Sequence, residues 1–237
     1  MIRTVVARHN DEIYTRYLEP SLKKIVTKVF GVAGDENIYV KYNLGIEEHI
    51  KDGLQDDDIV MFAHEDVLFL DSAIQAKMDY IFSKPDIGVV GVVGCREFSD
   101  NGAWWQNPTD KLFGHIVQEN GEEEFHLVKN KVGFVDDAVV VDGLLMAVRG
   151  KILKDGARFN QSWGVWHHYD VSFCLDVLMN TSYKVAIADI LVKHRSPGMG
   201  SLTEDWKKSK KIVVDYYEEK GLHFPITKQK IDMWKKR

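Results

Sequence analysis

Four stretches of this sequence end an apolar run in side chains that bind metals, phosphates or protons. In Asp58-Ile59-Val60-Met61-Phe62-Ala63-His64-Glu65-Asp66-Val67 a greasy run stops at His64-Glu65-Asp66. Two carboxylates and an imidazole at a strand end suit a divalent cation, and hard oxygen donors fit Mg2+ or Mn2+, which also bridges a diphosphate. A polar turn closing the strand fits the same residues. The second stretch, Trp163-Gly164-Val165-Trp166-His167-His168-Tyr169-Asp170-Val171-Ser172-Phe173-Cys174, crowds aromatic and histidine side chains around one carboxylate. Aromatic faces receive sugar rings, and a carboxylate at a helix start can serve as a general base. Asp170 read as a helix N-cap, with the aromatics as core, is the competing reading. The third, Ile190-Leu191-Val192-Lys193-His194-Arg195-Ser196-Pro197-Gly198, ends a buried-looking run at His194 and a Pro-Gly loop. A lone histidine of this kind is more often structural. In the fourth, Val139-Val140-Val141-Asp142-Gly143-Leu144-Leu145-Met146, a glycine within a strand pattern marks either a close approach of another group or a bulge.

The elements that must position these residues alternate between strand and helix. β-branched and apolar runs predict strands over 4–7, 38–42, 59–63, 87–93, 138–148 and 184–192. Several are continuous rather than alternating, as in strands covered on both faces. Leu22, Ile25, Val26 and Val29 follow the i, i+3, i+4, i+7 spacing of a helix, with Pro20 a break or kink just before. Ile74, Met78, Ile81 and Phe82 repeat that spacing after Asp71, a plausible N-cap. Ser201-Leu202-Thr203-Glu204 has the pattern of a capping box opening a late helix. The alternation implies an α/β fold with a mostly parallel central sheet, in which ligands sit outside the carboxyl ends of the strands.

The bulk composition narrows the function classes. The chain of 237 residues is 45% hydrophobic and 28% charged, so it can bury a sizeable core and is not a disordered segment. No apolar run reaches the roughly 18–20 residues of a membrane helix, and the start, Met1-Ile2-Arg3-Thr4-Val5-Val6, lacks a signal-peptide pattern. Cys95 and Cys174 stand in no metal or redox spacing, so a reducing cytoplasmic location is the expectation. A net charge of −5 argues against dedicated duplex nucleic-acid binding. Lys207, Lys208, Lys210 and Lys211, and the Lys235-Lys236-Arg237 end, read as a solvated helix face and a tail rather than as an anion site.

Taken in order, the four stretches resemble the family-2-like inverting glycosyltransferases of GT-A fold, in the branch whose acidic metal motif reads His-x-Asp. The resemblance covers about residues 3 to 200. His64-Glu65-Asp66 looks like the Asp-x-Asp metal motif with its first Asp replaced, Gly143 falls in the acceptor-side loop, and Tyr169-Asp170-Val171-Ser172-Phe173-Cys174 looks like the segment carrying the catalytic base. His64 for Asp, Tyr169 for Glu and Ser172 for Asp depart from the pattern.

The resemblance implies a single nucleotide-diphospho-sugar transferase domain over 1–200 and a helical extension over 201–237. It implies a metal site of Mn2+ or Mg2+ at Asp66, His64 and His194, and Asp170 as catalytic base. The nucleotide-sugar donor falls to Arg8, His9, Asn10, Tyr42, Asn43, Glu65, Asp66 and Gly143. A saccharide or other hydroxyl acceptor falls to Trp105, Trp163, Trp166 and His168, with Trp104 beside them. Two other enzyme classes share parts of the pattern. A nucleotidyltransferase usually has an early glycine-rich phosphate loop, whereas Arg8-His9-Asn10-Asp11-Glu12 contains no glycine. A metallohydrolase would need His64, His167, His168 and His194 in one tight cluster. A non-catalytic sugar- or nucleotide-sugar-binding protein of transferase descent would bind donor without turnover.

Overall fold

The six residues Ile2–Ala7 are all buried, and they form the first strand at the heart of the larger of two sheets. The computed structural model describes residues 1–34, 36–121, 123–164, 166–196 and 202–236. In chain order its strands are β1 (Ile2–Ala7), β2 (Thr27–Val32), β3 (Ile59–His64), β4 (Val67–Phe69), β5 (Ile87–Gly91), β6 (Val93–Cys95), β7 (Glu97–Phe98), β8 (Leu112–Asn120), β9 (Glu123–Val128), β10 (Val135–Ala138), β11 (Val140–Val141), β12 (Leu145–Arg149), β13 (Lys184–Ala188), β14 (Val192–Arg195) and β15 (Ile226–Thr227). Its helices are α1 (Asp11–Arg16), α2 (Leu18–Leu22), α3 (Ile38–Lys51), α4 (Ile74–Phe82), α5 (Gly150–Lys154), α6 (Tyr169–Asn180), α7 (Glu204–Glu219) and α8 (Lys228–Trp234).

The larger sheet runs β10-β13-β5-β12-β3-β1-β2. β1, β2, β3, β5 and β13 point one way, while β12 and the edge strand β10 are antiparallel to their neighbours. The fold is mixed α/β, with the parallel majority the sequence implied and one reversal in its centre. That reversal serves the site, because β12 starts where β3 ends. The His64 amide donates to the Leu144 carbonyl at 3.0 Å, which lays Asp142, Gly143 and Leu144 beside His64. The second sheet runs β11-β6-β8-β14-β4, with β9 on β8. β14 is antiparallel to β4, with His194 opposite Val67.

The expected strands 87–93, 138–148 and 184–192 each divide between the two sheets, into β5 and β6, β10, β11 and β12, and β13 and β14. Two further elements change type. Residues 38–42, expected as a strand, open α3. The Asn37 side chain caps it by accepting from the Val40 amide, and the buried positions Ile38, Tyr39, Lys41, Tyr42, Gly45, Ile46 and His49 follow helical periodicity. A methyl added at Gly45 would sit 2.2 Å from Val5 Cγ1, so this glycine lets α3 lie directly on β1. The second strand is instead β2, which begins inside the stretch 22–29 expected as helix and runs on to Val32. Val26 and Val29 are exposed there, so the spacing from Leu22 to Val29 never formed a buried stripe, and α2 itself contains Pro20.

Smaller corrections concern caps. The N-cap of α4 is Ala73, and Asp71 accepts from the Ala73 amide while pairing with Lys77. α7 is capped by Thr203, which accepts from the Trp206 amide, and Ser201 lies outside the described residues.

α7 is fastened to the start of α6 by His168. Among the described non-glycine residues, His168 alone has a positive φ, 62°. Its ring nitrogens meet Ser209 Oγ at 3.0 Å and the Gly102 carbonyl at 3.1 Å. Burial, only partly offset by that carbonyl, pushes the imidazole down to about 4. The unfolded chain therefore binds a proton that the folded chain refuses between about pH 6.5 and 4, and stability is lost as pH falls through that window. Burial raises the Asp176 carboxyl to about 6, which works in the opposite sense, so the difference between proteins isolates His168. Denaturant unfolding at pH 7 and pH 4 is expected to show the wild type losing up to about 3 kcal/mol more than His168→Asn. Equal losses would contradict the assignment.

Candidate active site

The site lies where β3 of the larger sheet passes into β4 of the second. β3 ends on His64, Asp66 occupies the turn, and His194 comes from β14 opposite Val67. One ligand atom from each of His64, Asp66 and His194 can be chosen so that all lie within 4.8 Å of one another. His194 Nε2 is 3.4 Å from Asp66 Oδ1, an ion pair rather than a close hydrogen bond. That oxygen is buried and has no hydrogen-bond partner of ordinary geometry among the described residues.

The charges of this trio are interlocked. Burial alone would raise the Asp66 carboxyl, but His194 outweighs it and holds Asp66 below the usual range. Burial likewise works against a charged His194, and Asp66 reverses it so that His194 is raised. His64 is lowered, chiefly by burial, with Asp66 opposing. Two imidazoles and a carboxylate with an orphaned buried oxygen fit a divalent transition cation such as Mn2+.

On one side of the trio is a small pocket of about 200 Å3, lined by Ala7, His9, Ile38, His64, Glu65, Asp66 and Trp166. Glu65 shapes its edge by accepting from the His9 amide at 2.7 Å and the Asn10 amide at 3.1 Å. Asn10 caps α1, accepting from the Glu12 and Ile13 amides. Arg8 pairs with Asp11 at 2.6 Å and stacks over Tyr14 at 4.4 Å. The His9 ring stands edge-on to Trp166 at 4.6 Å, and the buried Lys41 Nζ donates to the Arg8 carbonyl at 2.7 Å.

On the other side is a cavity of about 440 Å3 with Asp142, Asp170, His64 and His194 among its lining and aromatic walls that include Trp104, Trp105, Trp166 and Trp206. Asp170 is the second residue of α6, whose N-cap is His168, so the simple N-cap reading of Asp170 does not hold. Its Oδ2 accepts from the Gly143 amide at 2.9 Å and its Oδ1 from the Val171 amide at 2.8 Å. Burial, then the neighbouring Asp142, push its carboxyl up to about 7 against these two amides. With its carboxyl pushed up to about 7, Asp170 exchanges between its protonated and ionised forms near neutral pH. Gly143 has no room for a side chain: an added methyl would lie 2.1 Å from the Tyr169 hydroxyl.

Several sequence-derived site residues lie elsewhere. Tyr42 is wholly buried among Phe62, Phe159 and Tyr169, and Asn43 clamps the backbone of Phe159 through both its side-chain atoms. They sit in the interior of α3, not at a strand end, because β2 and not 38–42 is the second strand. Trp163 is packed between Tyr216 and Tyr217 of α7 and does not line the cavity. His168 borders the cavity, but both ring nitrogens are engaged, one with Ser209 of α7 and the other with the Gly102 carbonyl.

Sequence reasoning gave no role to the side chain of Asp142, which accepts from Trp104 Nε1 at 3.2 Å and from the Leu144 amide at 2.9 Å. It also missed Tyr169, whose hydroxyl lies 2.6 Å from His64 Nε2. Asp142 carried a signal, a carboxylate immediately before the strand glycine.

A model described as "Glycosyltransferase like family" matches residues 5–220. No curated protein sequence matches the chain. Among solved structures, that of GalNAc-T7 with UDP, GalNAc and Mn2+ superposes with a TM-score of 0.59 at 10% identity, over 100% of this chain and 53% of that one. The chain therefore spans about half the length of that protein. The mannosyltransferase PcManGT from Pyrobaculum calidifontis, in complex with GDP-Man and Mn2+, superposes with a TM-score of 0.56 at 11% identity, over 99% of this chain and 68% of that one. At such identities the likeness establishes a shared fold.

The packing at Gly143 gives a direct test of the site's construction. Gly143→Ala must displace the Tyr169 ring, so it is expected to cost about 1–3 kcal/mol in denaturant unfolding. Gly133→Ala is the control, since its methyl would meet nothing closer than Asp136 Oδ2 at 3.9 Å. Equal stability of the two variants would show that Tyr169 does not sit against Gly143.

Proposed function

The chain belongs to the glycosyltransferase-like family whose model spans residues 5–220, and on that premise we propose that it moves a sugar from a nucleotide-diphospho-sugar donor to an acceptor hydroxyl, with inversion at the anomeric carbon. Its fold is the GT-A fold of the two transferases above. The observation that carries the proposal is the placement of the His64–Asp66–His194 trio between two cavities, with Asp170 lining the larger one.

The smaller pocket, at the carboxyl ends of β1 and β3, is where a parallel sheet opens its ligand crevice. In this reading His9, Asn10 and Glu65 border the donor, and the Glu65 carboxylate keeps the loop after β1 in place. Both solved neighbours hold Mn2+, one with UDP and one with GDP-Man, which favours a nucleoside diphosphate with a cation here without choosing a base. His64, Asp66 and His194 would hold that cation, and it would supply positive charge to the departing diphosphate.

The larger cavity is read as the acceptor site, with Trp105 and Trp166 offering faces to a sugar ring. Asp170 takes the proton of the acceptor hydroxyl. The acceptor oxygen bonds to the anomeric carbon as the bond from that carbon to the phosphate oxygen breaks, and the electron pair leaves with the nucleoside diphosphate. A base near pH 7 is matched to this task, being ionised often enough and still basic enough to take a proton. Residues 201–237 are read as a helical extension that closes this side through α7 and His168.

Asp170→Asn keeps the shape and can still accept from the Gly143 amide, but it cannot take a proton. It is expected to keep donor binding while sugar transfer falls about 100-fold or more. Transfer rate and donor affinity measured on the one variant separate the possibilities. Near-normal turnover would remove Asp170 from the chemistry, and donor binding without turnover in the wild type would favour a non-catalytic binding protein.

A further inference from the structure

His64 and Tyr169 are two of the positions at which the sequence departs from the pattern it resembles, and the structure joins them. Tyr169 Oη and His64 Nε2 are 2.6 Å apart at the inner edge of the trio. The contact is built in by packing, because Gly143 leaves the space that the Tyr169 ring and hydroxyl fill. This pairing has a consequence for which nitrogen of His64 is left to bind a cation.

A neutral imidazole has one N–H and one lone pair on its ring nitrogens. If Tyr169 donates to Nε2, that lone pair is consumed and Nδ1 carries the proton, leaving no nitrogen for a metal. If Nε2–H donates to Tyr169, the Nδ1 lone pair is free, and the tyrosine hydroxyl needs an acceptor of its own. Tyr42 provides one. Its hydroxyl is wholly buried and has no hydrogen-bond partner of ordinary geometry among the described residues, and its ring packs edge-on against Tyr169 with centroids 5.6 Å apart. Tyr169 is close enough to Tyr42 to work against the upward shift that burial imposes on the Tyr42 hydroxyl. Metal-bound histidines generally donate their second N–H to an outer acceptor, commonly a carboxylate, backbone carbonyl or water, and here the tyrosine oxygen takes that place.

We propose that Tyr169 is a positioning residue of the cation site: it accepts a hydrogen bond from His64 Nε2–H, donates its own O–H toward the Tyr42 hydroxyl, and thereby leaves His64 Nδ1 as the ligand atom beside Asp66 and His194. The inference rests on reading the trio as a cation site. It makes the tyrosine before Asp170 the counterpart of the histidine that replaces an acid in the metal motif, so neither departure stands alone. It also gives the buried hydroxyl of Tyr42 a partner.

The test uses the full chain. Two-bond 1H–15N spectra of the metal-free protein report the His64 tautomer, and calorimetric titration reports Mn2+ affinity. In the wild type the Nε2–H tautomer is expected. Tyr169→Phe, which keeps the ring, is expected to lose that preference and to bind Mn2+ about 10–100-fold more weakly. Tyr42→Phe is expected to shift affinity in the same direction by less. A purely structural Tyr169 would lower the melting temperature without changing tautomer or affinity. An Nδ1–H tautomer in the wild type, or unchanged Mn2+ affinity in a folded Tyr169→Phe, overturns the inference while leaving the cation site standing. Failure of the wild type to bind Mn2+ overturns the cation-site reading and this inference with it. Should Tyr169→Phe fail to fold, the wild-type tautomer decides.

Discussion

The register of β14 against β4 sets the site. His194 lies opposite Val67, and the Arg195 amide donates to the Asp66 carbonyl at 3.0 Å, so backbone pairing holds Asp66 and His194 together before any side-chain attraction acts. A slip of one residue would turn His194 to the other face of its sheet and dissolve the trio. Asp66 sits in the short link between β3 of the larger sheet and β4 of the smaller one, so the site occupies the seam where the chain leaves one sheet for the other. The reversed strand β12 adds its own constraint from the opposite side, because its start beside His64 delivers Asp142 and Gly143.

Electrostatics then divides the carboxylates. Asp66 and Asp170 are both largely buried, yet their titrations are pushed in opposite directions. His194 holds Asp66 low, while Asp170 has a second acid, Asp142, for a neighbour and is pushed up to about 7. Groups whose environments separate them in this way suit the different tasks proposed for them: a carboxylate that stays charged beside a cation, and one that exchanges a proton near neutral pH. The amides of Gly143 and Val171 keep Asp170 from rising further.

Much of this was legible in the sequence because it rests on local pattern. The apolar run ends at His64 before Glu65-Asp66 and the stretch around Asp170 opens a helix, both as expected, whereas His194 lies within β14, a strand separate from the run 184–188 that forms β13. What was misread turned on short segments whose pattern is ambiguous without tertiary contacts. Ile38-Tyr39-Val40-Lys41-Tyr42 is rich in β-branched and aromatic residues, the composition of a strand, yet an Asn37 cap and the close fit of Gly45 against Val5 make it a helix. β2 is an edge strand in which only Val32 is buried while Val29 is exposed, so it carried little core signal to contradict a helical reading. Tyr42 was placed at a ligand pocket through that misassignment. Trp163 was placed at the acceptor because aromatic content alone does not say which face α7 covers. The contact between Tyr169 and His64 depends on two elements far apart in the chain meeting over a glycine, and no spacing within the sequence encodes it.

The central claim is that the trio at the sheet seam is a cation site serving a nucleoside diphosphate. Its most direct test is calorimetric titration of the wild type and Asp66→Ala with UDP and GDP, each with and without Mn2+. The account requires that Mn2+ strengthen binding of at least one nucleotide to the wild type and that this increment vanish in Asp66→Ala, which should remain folded. Nucleotide affinity that is the same in both proteins and indifferent to Mn2+ would contradict it.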